Sequence, residues 1–275
     1  MSCHGRRIRL NRILHGPGHR ALVVAFDHPL VLGPIEGTVN PAQQVRQFVE
    51  NGADAVLLNI GILPRVIESV LAPTAPAVIL RLDWSSLWTA DSSDGKLISH
   101  LLATPDQALR LGADAVLTYL FVGTGDAEFE SREVQRNAEV ARECERVGIP
   151  LIVESLARGK QVKDPLAPEW MKLHTRIAAE LGADLIKTEF AGTTEKMKQV
   201  VDICPVPILV LGGERRSSEA EALAVVRDAT AAGAAGVFFG RNVFQSSSIP
   251  KFLRKVRSIL DERQDPKRAL AGVAE

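Results

Sequence analysis

A lysine stands in the middle of an apolar run: LGADLIKTEF, residues 181–190, places Lys187 between Ile186 and Thr188. A buried ammonium loses hydration, which favours the neutral amine, and a neutral amine attacks a ketone to give a Schiff base. The same placement suits a lysine paired with a buried carboxylate, or one whose stem carries its charge to a rim. Other chemically capable residues end similar apolar runs: Asp27 and His28 after ALVVAF, Asn59 after AVLL, Arg81 and Asp83 in AVILRLD, Tyr119 after AVLT, and Glu154 after PLIV. Gly212 and Gly213 in LVLGGERRSS, and Gly240 with Arg241 in VFFGRNVFQ, complete the set.

What positions these residues is a repeat. NGADAVLLN (51–59), LGADAVLTY (111–119), LGADLIKTE (181–189) and AGAAGVFFG (232–240) align on a Gly-Ala pair, with Lys187 where the other copies carry Leu57, Leu117 and Phe238. Stretches with helical periodicity precede each copy: Pro41–Glu50, Pro105–Arg110, Glu169–Glu180 and Ser217–Ala231. A glycine just past a helix tolerates the left-handed turn that ends it. The Val, Leu, Ile and Phe that follow fit a strand buried on both faces. The unit reads helix, glycine stop, short loop, strand.

Eight strands follow from this reading: Ala21–Phe26, Ala55–Leu58, Ala77–Leu82, Ala115–Tyr119, Pro150–Glu154, Leu185–Lys187, Ile208–Leu211 and Gly236–Phe239. Alternating helices and eight parallel strands predict a TIM (β/α)8 barrel, single over residues 1–275, with a short N-terminal helical extension. An open doubly wound sheet of the dinucleotide-binding kind would want G-x-G-x-x-G after the first strand, and AFDHPLVLGP lacks it. RLDWSSLWTADSSDGKLISH, residues 81–100, reads as an insertion at the barrel top. Barrels of this kind do their chemistry at the C-terminal strand ends, where the polar residues above all fall. The loops after strands seven and eight commonly hold phosphate on backbone N–H groups, and Arg241 could add a bidentate contact.

Six phrases taken together resemble one family: AFDHPLVLGPIEG, GADAVLTYLFVGT, GIPLIVESLARG, GADLIKTEF, CPVPILVLGGE and GAAGVFFGRNVFQ, spanning residues 21–245. They are similar to the class I (Schiff-base) aldolase group that contains the archaeal-type fructose-bisphosphate aldolase, the aminodideoxyheptulosonate synthases and, more distantly, the tagatose-bisphosphate and deoxyribose-phosphate aldolases. The resemblance implies that Lys187 forms the Schiff base and that Asp27 lies beside it and handles protons. It further implies that Gly212, Gly213, Gly240 and Arg241 bind phosphate, and that Arg158 helps bind substrate or lowers the pKa of the lysine; His28 either bonds the backbone or contacts substrate. One position departs: where the fructose-bisphosphate aldolase and the heptulosonate synthases carry a catalytic Tyr after strand five, ESLARG has Leu156. The tagatose-bisphosphate aldolase uses a Glu after its fifth strand, and Glu154 matches it as the proton shuttle, the alternative being Tyr119, the chain's one Tyr. Arg81, Asp83 and Trp84 either face substrate or belong to a surface loop.

The expected reaction is cleavage or formation of a C–C bond in a phosphorylated ketose with a dihydroxyacetone-phosphate-type donor. The alternatives are a transaldolase- or thiolase-like transfer on a phosphorylated diketone by the same lysine, and a sugar-phosphate-binding barrel without turnover. Formal net charge is zero and no basic run is present, which argues against nucleic acid and anionic membranes. Hydrophobic residues make up 46% of the 275, yet no apolar run reaches the roughly 18 residues of a membrane span. Cys3, Cys144 and Cys204 show no metal or redox spacing, so a reducing cytoplasm, no metal and no cofactor are expected. A homo-oligomer is expected from the resemblance.

Overall fold

The computed structural model describes residues 4–15, 17–71, 75–86 and 97–262. Each apolar run forms a strand: β1 Ala21–Ala25, β2 Ala55–Asn59, β3 Ala77–Arg81, β4 Asp83–Ser85, β5 Ser99–Leu101, β6 Ala115–Val122, β7 Leu151–Ala157, β8 Leu185–Thr188, β9 Ile208–Leu211 and β10 Gly236–Phe239. Eight of them close a parallel barrel in the order β1-β10-β9-β8-β7-β6-β3-β2, and helices connect them on the outside. The fold is a TIM (β/α)8 barrel. β4 and β5 pair antiparallel, so the insertion after β3 begins and ends as a small ribbon. Residues 87–96 of that insertion lie outside the described residues.

The helix–glycine–strand unit recurs as expected. Helices Pro41–Glu50, Pro105–Arg110, Pro168–Glu180 and Glu219–Ala231 precede the four copies. Thr104 and Gln107 form a reciprocal capping box at one start, and Asn40 and Ser218 cap two others. The repeat glycines take φ between 81° (Gly52) and 102° (Gly182), a backbone that a side chain would strain.

Strand alternation sorts the apolar side chains into two sets. Val56, Leu58, Val116, Ile186 and Val237 face the helices. Leu57, Ile79, Leu117, Ile152, Leu185, Leu209 and Phe238 fill the barrel interior. The position that Lys187 shares with Leu57, Leu117 and Phe238 is therefore an inward one. Lys187 points into the barrel because the repeat does.

Below this interior packing lies helix His4–Ile13, whose Ile13, with the following Leu14, closes the barrel floor. Burying a side chain of that size contributes about 1.5–3 kcal/mol each. Polar contacts add direction: Arg6 Nε meets Asp184 at 2.6 Å, Arg12 Nη1 meets Asp114 at 2.5 Å, and Arg9 Nη1 donates to the Gly148 carbonyl at 3.0 Å. No helix among the described residues is long and apolar enough to cross a membrane.

Candidate active site

At the C-terminal ends of the barrel strands a cavity of about 420 Å³ opens. Asp27, His28, Tyr119, Glu154, Leu156, Arg158, Lys187, Gly212, Gly213, Gly240 and Arg241 all line it. Lys187, Asp27, Glu154, His28, Arg158 and the four loop residues expected to bind phosphate thus reach one space, whereas Asn59, Arg81, Asp83 and Trp84 do not line it.

Register explains the centre. Tyr119 on β6 pairs with Glu154 on β7, and Glu154 pairs with Lys187 on β8. Residues directly paired across parallel strands project to the same side, so the three side chains stand in a row across the barrel wall. Lys187 Nζ lies 2.9 Å from Glu154 Oε1 and 4.8 Å from the centre of the Phe238 ring. Lys187 is only 5% exposed.

The other oxygen of Glu154 is taken. Arg81, at the end of β3 and fully buried, donates from Nη2 to Glu154 Oε2, from Nε to Asp27 Oδ2 at 2.5 Å, and from Nη1 to Asp83 Oδ1 at 3.2 Å. Its guanidinium carbon sits 4.0 Å from the centre of the Tyr119 ring. Asp83 is held in turn by the Tyr119 backbone N–H and by Arg136 Nη1, both at 2.7 Å. Burial would raise the Asp27 carboxyl, but the charges of Arg81 and Lys187 prevail and hold it well below the usual carboxylate range. Burial, with the nearby negative charges of Glu154 and Asp27, keeps the Tyr119 phenol well above its ordinary range, so it remains a donor.

These contacts add detail to the expected site. Asp27 lies close enough to Lys187 to feel its charge, as expected, but its direct partner is Arg81, and the ion pair to Lys187 comes from Glu154. Asp83 is fully buried and faces protein on both carboxylate oxygens, not substrate. The bridging place of Arg81, and the involvement of Arg136 and Glu189, emerge only in three dimensions. Glu189 lies two residues after Lys187, and strand alternation puts it on the same side, where it takes Arg158 in a two-pronged pair at 2.9 and 2.7 Å. Leu156 also faces the cavity, two residues after Glu154. The position that resembles a catalytic Tyr site is therefore correctly aimed and apolar.

Across the cavity lie Gly212, Gly213, Gly240 and Arg241. A Cβ at Gly240 would collide with the His28 imidazole, so only glycine lets these two loops meet. Arg241 Nε is buried without a hydrogen-bond partner among the described residues, and the nearest carboxylate, that of Glu214, is 3.8 Å from Nη1. His28 Nδ1 stands 3.4 Å from Asp27 Oδ1 and likewise makes no hydrogen bond. Burial pushes the His28 imidazole down to about 4, helped by the positive charges of Lys187 and Arg241. At neutral pH it offers the cavity an uncharged ring.

Residues 21–246 match the family model described as DeoC/LacD family aldolase. The chain belongs to this aldolase family. Among its relatives, the 2-amino-3,7-dideoxy-D-threo-hept-6-ulosonate synthase of Halobacterium salinarum is 35% identical, the match covering 98% of this chain and 97% of that one. The 2-amino-4,5-dihydroxy-6-oxo-7-(phosphonooxy)heptanoate synthase of Streptomyces griseus is 32% identical, covering 98% and 96%. A solved structure of a Schiff-base-forming fructose-1,6-bisphosphate aldolase superposes with a TM-score of 0.82 at 28% identity, covering 93% of this chain and 99% of that chain. This aldolase is thus an enzyme of the class I kind.

Proposed function

We propose that this aldolase makes or breaks a C–C bond of a phosphorylated ketose through an imine on Lys187, with Glu154 as proton shuttle. The observation that carries the reading is the buried pair of Lys187 Nζ and Glu154 Oε1, 2.9 Å apart at the base of a cavity whose far wall holds Arg241. In the cleavage direction the amine attacks the ketone carbon, and the carbinolamine loses water. The iminium then accepts the electron pair of the adjacent C–C bond as it breaks. The proton of the neighbouring hydroxyl passes to Glu154, the aldehyde leaves, and the enamine takes a proton back before water releases the ketone. Asp27, anionic beside Arg81, supports the positive iminium electrostatically. Gly212, Gly213, Gly240 and Arg241 bind the phosphate, with the unpartnered Arg241 Nε a ready donor.

The names of the two synthases sharpen the substrate class. The Streptomyces griseus product, divided at its C4–C5 bond, is a three-carbon phosphorylated ketone and a four-carbon 2-amino-acid aldehyde. Arg158 and Glu189 on the cavity wall offer a cation and an anion side by side, which suits an acceptor bearing both charges. Dihydroxyacetone phosphate as donor and such an aldehyde as acceptor is the reading these features support. A homo-oligomer in a reducing cytoplasm is part of the same proposal. Leu173, 45% exposed on helix Pro168–Glu180 beside Ile177 and Leu181, supports the first, and the unpaired Cys144 and Cys204 support the second.

The test is borohydride reduction with dihydroxyacetone phosphate, followed by peptide mass spectrometry. A reduced adduct on Lys187 is expected. An unlabelled protein that still binds the ketone phosphate would replace the enzyme reading of this site by that of a non-catalytic sugar-phosphate binder.

A further inference from the structure

Arg81 belongs to the site but does not line the cavity. It is 1% exposed, yet it contacts two of the carboxylates that line the cavity, Asp27 and Glu154. Asp27 and Glu154 come from β1's end and from β7, on different sides of the barrel mouth. Without a bridge, two buried carboxylates facing one lysine would repel each other and compete for it. Arg81 removes the competition. It takes Oδ2 of Asp27 and Oε2 of Glu154 on separate nitrogens, leaving Oε1 of Glu154 as the oxygen aimed at Lys187.

Arg81 is itself held in place. Asp83 accepts its third nitrogen, the Tyr119 ring lies against its face, and Asp83's second oxygen is pinned by the Tyr119 N–H and Arg136. Arg136 also donates to the Tyr119 carbonyl and to Glu133. A planar fork with donors in fixed directions can serve three carboxylates at once; an ammonium on a flexible stem cannot hold the same geometry.

We propose that Arg81 is a positioning residue of this aldolase: braced by Asp83, its guanidinium holds Asp27 and Glu154 in place so that Glu154 presents a single oxygen to Lys187. This rests on the reading that Lys187 forms the imine and Glu154 moves the proton. Arg81 is not a catalytic residue, since it acts only through those two carboxylates.

The groups facing them set the expected pH response. Asp27 is faced by Arg81 from β3, Lys187 from β8 and His28 from its own segment; Glu154 is faced by Arg81, Lys187 and Tyr119. Asp27, held low by Arg81 and Lys187, rises when Arg81 is loosened, so the acid limb of the rate profile moves to higher pH.

Arg81→Lys keeps the charge and loses the fork, and Arg81→Met loses both. For Arg81→Lys, folded by circular dichroism, we expect borohydride labelling of Lys187 to persist. Its kcat and α-proton exchange should fall up to about a hundredfold, the scale of a small misplacement of a catalytic group, while KM stays within about twofold. The acid limb should shift upward. Arg81→Met should lose more kcat than Arg81→Lys, or fail to fold, which fits a cation that two buried carboxylates require. An Arg81→Lys protein with parental kcat and pH profile, or one whose loss lies wholly in KM, would overturn the proposal. Failure of the parental protein to label at Lys187 is a different result: it would overturn the imine reading and this proposal with it.

Discussion

The two ends of the barrel use the same residue types for opposite purposes. At the floor, Asp54, Asp114 and Asp184 occupy the same place in three repeat copies. Each accepts the backbone N–H of a strand residue, Leu22, Val78 and Leu151 respectively, at 2.6, 2.9 and 2.9 Å. Each also meets its own arginine, Arg257, Arg12 and Arg6. Each of these acids has an arginine of its own, His15 also lying 3.4 Å from Asp54, and the backbone takes a carboxylate oxygen. At the mouth, three acids share Arg81, and Glu154 keeps an oxygen for a lysine in a cavity. Burial raises the carboxyls of Asp114 and Asp184, while Asp27 is held low by Arg81 and Lys187. Where every acid has a private partner the charge is structural. Where acids crowd one cation, a group is left poised to react.

Substitutions should separate the two ends. The largest effect belongs to Lys187→Ala. Turnover and borohydride labelling should vanish while the circular dichroism spectrum is kept, and the parental enzyme should stay fully active in EDTA; residual turnover well above background would disprove the imine. Next comes Glu154→Gln, which keeps the size and loses the proton. C–C cleavage and α-proton exchange, followed by solvent deuterium uptake, should drop by about 10²–10⁴, the scale of general acid–base catalysis, with Lys187 still labelled. Tyr119→Phe should cost far less, and the reverse order of the two variants would move the shuttle to β6.

Arg241→Ala should weaken a phosphorylated substrate by about 1.5–3 kcal/mol, read from KM, and a non-phosphorylated analogue hardly at all. Equal losses would make Arg241 structural. At the floor, Asp184→Ala should lower stability by about 1–3 kcal/mol in urea melts, because the Leu151 N–H and Arg6 lose their acceptor, and kcat should not move. The smallest effect is a pH dependence at Glu133, whose carboxyl burial raises to about 7, with Asp83 adding to the rise against Arg136. The folded chain then keeps a proton that the unfolded chain has lost, so the stability Glu133 contributes at low pH declines as pH rises through about 7. Glu133→Gln should flatten that decline in denaturation midpoints measured from pH 5 to 8, as read from about one proton of linkage; an unchanged slope would contradict it.

Much of this was legible in the sequence, because a repeat carries its own geometry. Once GAD marked three floor positions, counting six residues from the start of each copy gave an inward side chain, and Lys187 followed. Strand ends were harder to place. The fourth and fifth strands were expected to stop at Tyr119 and Glu154, but pairing continues through Leu120–Ser155, Phe121–Leu156 and Val122–Ala157. Nothing in the composition distinguishes that continuation from a loop. Arg81 was the least legible. RLDW fits an exposed polar loop as well as a buried clamp, and only barrel closure, which brings β1, β3 and β7 around one mouth, gives its guanidinium three acids to hold.

The sealed floor has a consequence for the order of events. Ile13 and Leu14 block the lower end, and Leu57, Leu117, Ile152, Leu185 and Leu209 fill the space beneath the cavity. Traffic therefore passes through one opening. On the proposed imine chemistry the ketone fragment is tethered to Lys187, so the aldehyde is the partner free to exit, and water must reach the tethered fragment along the path the aldehyde has vacated. That proposal then predicts sequential release, aldehyde before ketone, so that the ketone product, the last to leave, competes with the incoming ketose for the empty enzyme.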